Sequence, residues 1–218
     1  MSRNLAIVIP VRSLSGGKTR LGPDASPELR AAMTATMLRT VLAAAAGSGA
    51  AGDILLVSPD PAALALGESA APSVVPVPQP PDRAGLNPAI DLGRESAIAR
   101  GATSMLVLFA DLPLIEPADV AAIAGTQAPV VLAPDRAGSG TNALMLDLTG
   151  PGRGFGEMER RAALAEPEDE AARLGLQAVA VRTPGATFDL DTPADLRELL
   201  DAAGDRSGLL ALFPEAAP

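Results

Sequence analysis

Leu5-Ala-Ile-Val-Ile-Pro-Val11 is the stretch whose reading decides the fold. Its apolar residues run on without alternation, as in a strand covered on both faces. A half-solvated strand would alternate apolar and polar residues instead. The polar loop Arg12–Gly22 follows. The segment 27–46 then reads as a helix, with Ser26 as N-cap, Pro27 at the first helical position and Gly47 at the end. The same alternation continues down the chain. Strands are predicted at 54–57, 73–77 and 104–109, with helices at 61–66, 88–100 and 117–124 between and after them. Two further strands fall at 129–133 and 143–147. A Gly-rich region covers 149–156. A polar helix over 168–174, a strand over 177–181 and a helix over 193–203 complete the chain, and the tail from 204 to 218 has no firm reading.

Strand–helix alternation of this kind predicts a mostly parallel sheet with helices on both faces. No low-complexity linker divides the chain, so residues 1–218 read as one α/β domain with a core over about 5–203. In such sheets ligands lie at the carboxyl ends of the strands. The loops after Val11, Val57, Val77 and Phe109 are therefore the candidate site.

Composition narrows the chemistry. The chain has 218 residues with no Cys, His, Trp or Tyr. That excludes thiol nucleophiles, thiolate zinc, imidazole bases and the Ser-His-Asp triad. Any bound metal must sit on oxygen ligands, so Mg²⁺, Mn²⁺ or Ca²⁺ is the candidate. The net charge of −9 argues against nucleic acid and anionic membrane as partners. No window approaches the length of a transmembrane helix, and the seven residues from Leu5 are too short for a signal peptide, so a cytoplasmic protein is expected.

Two glycine motifs mislead. Gly47-Ser-Gly-Ala-Ala-Gly52 matches a dinucleotide fingerprint, but a helix precedes it and a strand follows, the reverse of what pyrophosphate binding needs. Gly17-Lys18-Thr19 resembles the end of a P-loop, yet Arg12 stands where the first glycine belongs.

Other segments carry more. Lys18 is the only lysine beside 16 arginines, and with Arg12 and Arg20 it places three cations in one loop, which suits a triphosphate. Asp111 lies just past a buried strand, where ligands bind, with Pro113 fixing the turn; an Asx-turn or capping role is the alternative. Asp189-Leu-Asp191 sends two carboxylates to one side of an extended segment, about 6–7 Å apart. A hard cation fits there, although Asp191 or Thr192 could instead cap the helix that Pro193 opens. Gly138-Ser-Gly-Thr-Asn142 and Gly85-Leu-Asn87 are small polar loops that present backbone amides.

Taken in order, these segments resemble one family. They are the Ile-Pro-Val strand end, Lys18-Thr-Arg-Leu21, Gly85-Leu-Asn87, Asp111-Leu-Pro113, Pro134-Asp-Arg136, Gly140-Thr-Asn-Ala-Leu144, Phe155-Gly156 and Asp189-Leu-Asp-Thr-Pro-Ala-Asp-Leu196. The set is similar to the 2-phospho-L-lactate guanylyltransferases, a family that includes phosphoenolpyruvate guanylyltransferases. The resemblance implies a single-domain, nucleotide-diphospho-sugar-transferase-like (Rossmann-like) α/β fold. It implies GTP coupled to a phosphorylated three-carbon acid, pyrophosphate release, and a product for coenzyme F-420 biosynthesis. By resemblance Asp111, Asp189 and Asp191 hold Mg²⁺, and Lys18, Arg20 and Asp111 carry the catalysis. Arg12, Lys18, Arg20, Gly85 and Asn87 bind the nucleotide, and Thr141, Gly156 and the position of Glu159 bind the acid. The family usually has Ser and His where this chain has Glu159 and Ala162. A carboxylate at 159 would repel an anionic acceptor unless Arg160 or Arg161 compensates. The acceptor could therefore differ, a sugar phosphate or molybdopterin being the alternatives, and a silent nucleotide-binding homologue is a further reading. A homodimer is compatible with the sequence.

Overall fold

The computed structural model describes residues 4–18, 21, 25–138, 140–149, 167–173 and 175–201. Its centre is a seven-stranded sheet in the order β3-β2-β1-β4-β6-β5-β7. The strands are β1 (Leu5–Pro10), β2 (Asp53–Ser58), β3 (Val74–Pro78), β4 (Ser104–Leu108), β5 (Val130–Pro134), β6 (Thr141–Asp147) and β7 (Ala178–Ala180). Every neighbouring pair is parallel except the two that involve β6, which runs antiparallel to both β4 and β5.

The helices are α1 (Pro27–Gly47), α2 (Pro61–Ala70), α3 (Leu86–Ala99), α4 (Pro117–Gly125), α5 (Pro167–Arg173), α6 (Pro184–Thr187) and α7 (Pro193–Asp201). They cover both faces, which is why β1 reads as continuously apolar. Ile7 and Ile9 pack with Leu38 and Val41 of α1, Ala63 of α2 and Ile123 of α4. Ala6 and Val8 face the other way, against Ala89 and Ala97 of α3. All six β1 residues are buried.

The start of α1 follows its sequence signals. Ser26 Oγ accepts the Leu29 N–H at 3.1 Å, and Pro27 fills the first helical position. Its end does not. Gly47 is helical, and Gly49, at φ +62°, is the residue that turns the chain. The third helix begins two residues earlier than Pro88, because Gly85 caps it at φ +110°, a conformation that glycine alone adopts readily. The short helix α6 was not predicted. Thr183-Pro184 was its visible signal, with Thr183 Oγ1 accepting the Ala186 N–H at 3.4 Å. The described part of the last helix stops at Asp201, and positions 150–156 and the tail after Gly204 lie outside the described residues.

The chain winds one way from β1 to β2 and β3 and the other way from β4, so the strand order reverses between β1 and β4. A crevice opens at such a point. Gly93 sets how closely α3 approaches that crevice. A Cβ there would overlap Val8 Cγ1 and press on Val57 Cγ2 at 3.3 Å. Gly93→Ala should cost about 1–3 kcal/mol by overpacking, less about 1 kcal/mol of recovered helix propensity. In urea unfolding, Gly93→Ala combined with Val8→Ala should lose less stability than the two single variants added together. Strict additivity would mean that the two residues do not compete for that space.

Candidate functional site

The loop that leaves β1 at the reversal point is held by its own hydroxyls and by the next crossover. Ser13 Oγ accepts the N–H of Ser15 at 3.1 Å and of Gly16 at 3.2 Å. Asp60, the N-cap of α2, accepts the Leu14 N–H at 2.9 Å and the Ser13 hydroxyl at 3.2 Å. The Leu14 amide leads the interactions that hold the Asp60 carboxyl below its usual range. The loop then delivers Lys18 at φ 58°, the one positive φ at a non-glycine position among the described residues. Asp60 escaped the sequence reading. Its signal was an acid before Pro61, which reads as a helix cap and not as an anchor for a distant loop.

Lys18 Nζ lies 2.9 Å from Asp111 Oδ2 and 2.9 Å from Asp191 Oδ1. Its side chain is 9% exposed, against 33% and 40% for the two acids. Burial opposes the ammonium charge most strongly, but the two carboxylates outweigh it, so the proton is held more tightly than on an ordinary lysine. Asp111 reaches this point from the end of β4. Asp191 arrives from a segment docked on Asp111 itself, where the Leu190 N–H donates to the Asp111 carbonyl at 3.1 Å. Thr192 and Asp195 cap α7 reciprocally. Asp195 Oδ2 accepts the Thr192 N–H at 2.7 Å, and Thr192 Oγ1 accepts the Asp195 N–H at 3.3 Å. The Asp191 side chain is thus left to face Lys18.

Asp189 stands at the same centre. Burial raises its pKa above the ordinary carboxylate value, and the charges of Asp111 and Asp191 add to that. The Asn142 amide and a backbone hydrogen bond pull the other way. Among the described residues no three carboxylates surround one point in ligating geometry. The convergence is of two acids on an ammonium, with the third within range of both. The donor chemistry still suits a hard divalent cation, since every donor is an oxygen and Lys18 pairs with only two of the three acids.

Two pockets meet along this edge. The smaller, about 310 Å³, is lined by Arg12, Lys18, Phe109, Asp111 and Asp191 among others. The larger, about 510 Å³, is lined by Gln79, Pro80, Gly85 and Leu86. Pro10, Val11 and Arg12 border both. Gln79 is buried, and its Nε2 donates to the carbonyls of Arg83 at 2.5 Å and Gly85 at 2.8 Å, closing the turn into α3. A polar residue among four prolines could have flagged it in the sequence. Asn87 lies in the first turn of α3 and does not line either pocket. Thr141 opens β6 opposite Pro134, on the same edge of the sheet. Asn142, buried beside it, donates to the Ala186 carbonyl at 3.0 Å. Arg20, Gly156, Glu159 and Ala162 lie outside the described residues.

The family and the named relatives make the chain a nucleotidyltransferase. The Rossmann-like sheet with a cationic loop at its reversal point and acids at its strand ends fits that class, and the solved structures agree on the fold. One from Desulfovibrio desulfuricans G20, assigned provisionally to the nucleotide-diphospho-sugar transferases, superposes with a TM-score of 0.74 at 16% identity, covering 98% of this chain and 95% of that one. A 4-diphosphocytidyl-2C-methyl-D-erythritol synthase gives a TM-score of 0.60 at 18% identity, covering 92% and 100%. The chain belongs to the family described as guanylyl transferase CofC like, whose model matches residues 5–207. It is 42% identical over 205 residues to a phosphoenolpyruvate guanylyltransferase of Rubrobacter xylanophilus, covering 90% of this chain and 94% of that protein. It is 36% identical over 211 residues to another from Sphaerobacter thermophilus, covering 92% and 97%. Among the described residues no helix is long and apolar enough to cross a membrane.

The raised Asp189 pKa has a consequence for stability. A carboxyl whose folded pKa lies above its unfolded one costs stability once ionised, and the cost grows as pH rises through that range. Asp189→Asn should therefore melt above the wild type at pH 7 in metal-free buffer, and level with it near about pH 3. Scanning calorimetry at the two pH values checks this. A lower melting temperature at pH 7 would show that the hydrogen bonds to Asp189 outweigh the repulsion.

Proposed function

We propose that the chain transfers a guanylyl group from GTP to the phosphate of a three-carbon phospho-acid. The candidates are 2-phospho-L-lactate, phosphoenolpyruvate and 3-phosphoglycerate. The family and the names of its curated members support the donor and the acceptor class. The observation that carries the reading is the convergence of Lys18, Asp111 and Asp191 at the reversal point, where the two pockets meet. The smaller pocket suits a triphosphate, and the larger suits a nucleoside.

The acceptor's phosphate oxygen attacks the α-phosphorus of GTP. The bond from that phosphorus to the oxygen bridging to the β-phosphate breaks, and pyrophosphate leaves. The attacking phosphate is largely ionised at pH 7, its second pKa being about 6, so no general base is needed. That fits a chain with no His. The barrier is the approach of one anion to another. Asp111, Asp189 and Asp191 would hold Mg²⁺, with Mn²⁺ as the alternative, and the cation supplies charge neutralisation at the reacting phosphate. Lys18 has three N–H donors and spends two on Asp111 and Asp191, so the third can reach a phosphate oxygen. Arg12 and Arg20 add positive charge for the triphosphate and the departing pyrophosphate. Gly85, which lines the larger pocket, is assigned to the nucleoside side, and Asn87, in the first turn of α3 two residues on, would have to reach it from outside that lining. Thr141, Gly156 and Glu159 are assigned to the acceptor, whose identity depends on what Glu159 admits. The product would feed coenzyme F-420 biosynthesis, with the enzyme in the cytoplasm.

Pyrophosphate release with Mg²⁺, each of the four nucleoside triphosphates and a panel of phospho-acids and sugar phosphates tests the reading. GTP with a three-carbon phospho-acid is the expected pair. Asp189→Asn should lower kcat by about a hundredfold or more. Near-normal turnover in that variant would remove the metal assignment.

A further inference from the structure

Pro134-Asp-Arg136, which leaves β5 toward the catalytic edge, has no part in the reaction as derived. Yet Arg136 is bound on three sides. Its guanidinium carbon lies 4.3 Å from the centre of the Phe188 ring. Nη1 is 2.5 Å from Glu198 Oε2, and Nη2 is 2.6 Å from Asp195 Oδ1. Exposed ion pairs contribute little when isolated. Here one planar fork spans two acids, the Asp195 side chain is 17% exposed, and the cation rests on a buried aromatic ring.

What Asp195 does with its other oxygen matters more. Oδ2 accepts the Asp191 N–H at 3.1 Å, the Thr192 N–H at 2.7 Å and the Thr192 hydroxyl at 2.8 Å. A single carboxylate therefore joins Arg136 to the backbone of Asp191. Phe188, under the same guanidinium, is the residue before Asp189. Arg136 thus holds the segment from Phe188 to Asp191 from both ends, through a ring at one and a carboxylate at the other.

We propose that Arg136 is a positioning residue for Asp189 and Asp191: by clamping Phe188 and Asp195, it sets the two carboxylates where they can take a divalent cation. This rests on the metal reading above. Within it, Arg136 never touches the cation or the substrates. The simplest rival role is that of a nearby positive charge, since Arg136 is also within electrostatic range of Asp189.

The two roles predict opposite signs. Deleting a nearby cation makes the acidic set more negative, and its affinity for a divalent ion should rise. Deleting a clamp loosens the set, and the affinity should fall. The test is direct binding of Mn²⁺ to the full-length protein with GTP present, followed by electron paramagnetic resonance of the free ion, on protein shown folded by its melting curve. Wild type should bind. Arg136→Gln should bind about tenfold more weakly, as is usual when a ligand loses its support. Arg136→Lys keeps the charge but not the fork, and it should also weaken binding. Asp195→Asn removes a negative charge as well as the clamp, so it should weaken binding under either role, and Arg136→Lys, which keeps the charge, decides the matter if Arg136→Gln does not fold. Binding as tight as wild type, or tighter, in Arg136→Gln and Arg136→Lys would overturn the positioning role while leaving the metal reading intact. A wild type that takes up no Mn²⁺ would overturn the metal reading and this inference with it.

Discussion

The catalytic edge depends on one buried ammonium. Lys18 ties together three parts of the chain that are far apart in sequence, reaching 93 residues to Asp111 and 173 to Asp191. Desolvation of the ammonium is the largest single effect on it, and it is unfavourable. The two carboxylates reverse the balance only because both approach to 2.9 Å. Much of the surrounding architecture meets that condition. The Ser13 turn and the Asp60 cap fix the loop that carries Lys18. The Leu190–Asp111 hydrogen bond brings the acids side by side. Phe188 and Leu190, which flank Asp189, are buried in one cluster with Met33, Met37 and Leu199.

The same arithmetic leaves the site short of positive charge. Lys18 pairs with two of the three acids and Arg12 is the other cation lining the smaller pocket, in a chain whose net charge is −9. Such a site would repel a nucleoside triphosphate without further cations. A lysine suits the converging point because its compact ammonium can donate to two acids from different segments. A guanidinium fixes its donors in one plane, as Arg136 does toward Asp195 and Glu198 of one helix, whereas an ammonium can turn its donors to acids from different directions. Asp189 ionises against its own burial first and against the charges of Asp111 and Asp191 second. The protein thus stores unfavourable electrostatics where the proposed metal would relieve them.

Much of this was legible in the sequence because the signals were local. A continuous apolar β1, Pro-opened helices and an acid just past a strand each report a backbone state or a burial pattern within a few residues. They located the sheet class, the edge, Lys18, Asp111 and the Asp189–Asp191 pair. What stayed hidden depends on distant partners. Lys18 read as a phosphate ligand, since no local feature shows that two acids fall within 3 Å of it. Asp60 has only the local sign of a helix cap, and nothing near it shows that it holds a loop 46 positions away. Arg136 read as part of a motif, and its pairing with Asp195 spans 59 positions. Gly47 misled for the opposite reason: its composition suggested an end, but the positive φ was needed two residues later, at Gly49.

The reversed strand explains how the two halves of the site differ. In the first half, strands β1, β2, β3 and β4 all end at the edge, so loops leaving strands line the pockets. The β6 strand runs the other way, and its first residues, not its last, meet that edge. The β5–β6 hairpin therefore delivers Thr141 and Asn142 directly, with Asn142 beside Asp189. Arg136 sits in that hairpin too, only a few residues upstream. One short turn carries both the residue assigned to the acceptor and the residue that clamps the acids. A shift of the hairpin would move the two together, so the proposed acceptor residue and the proposed clamp share one support.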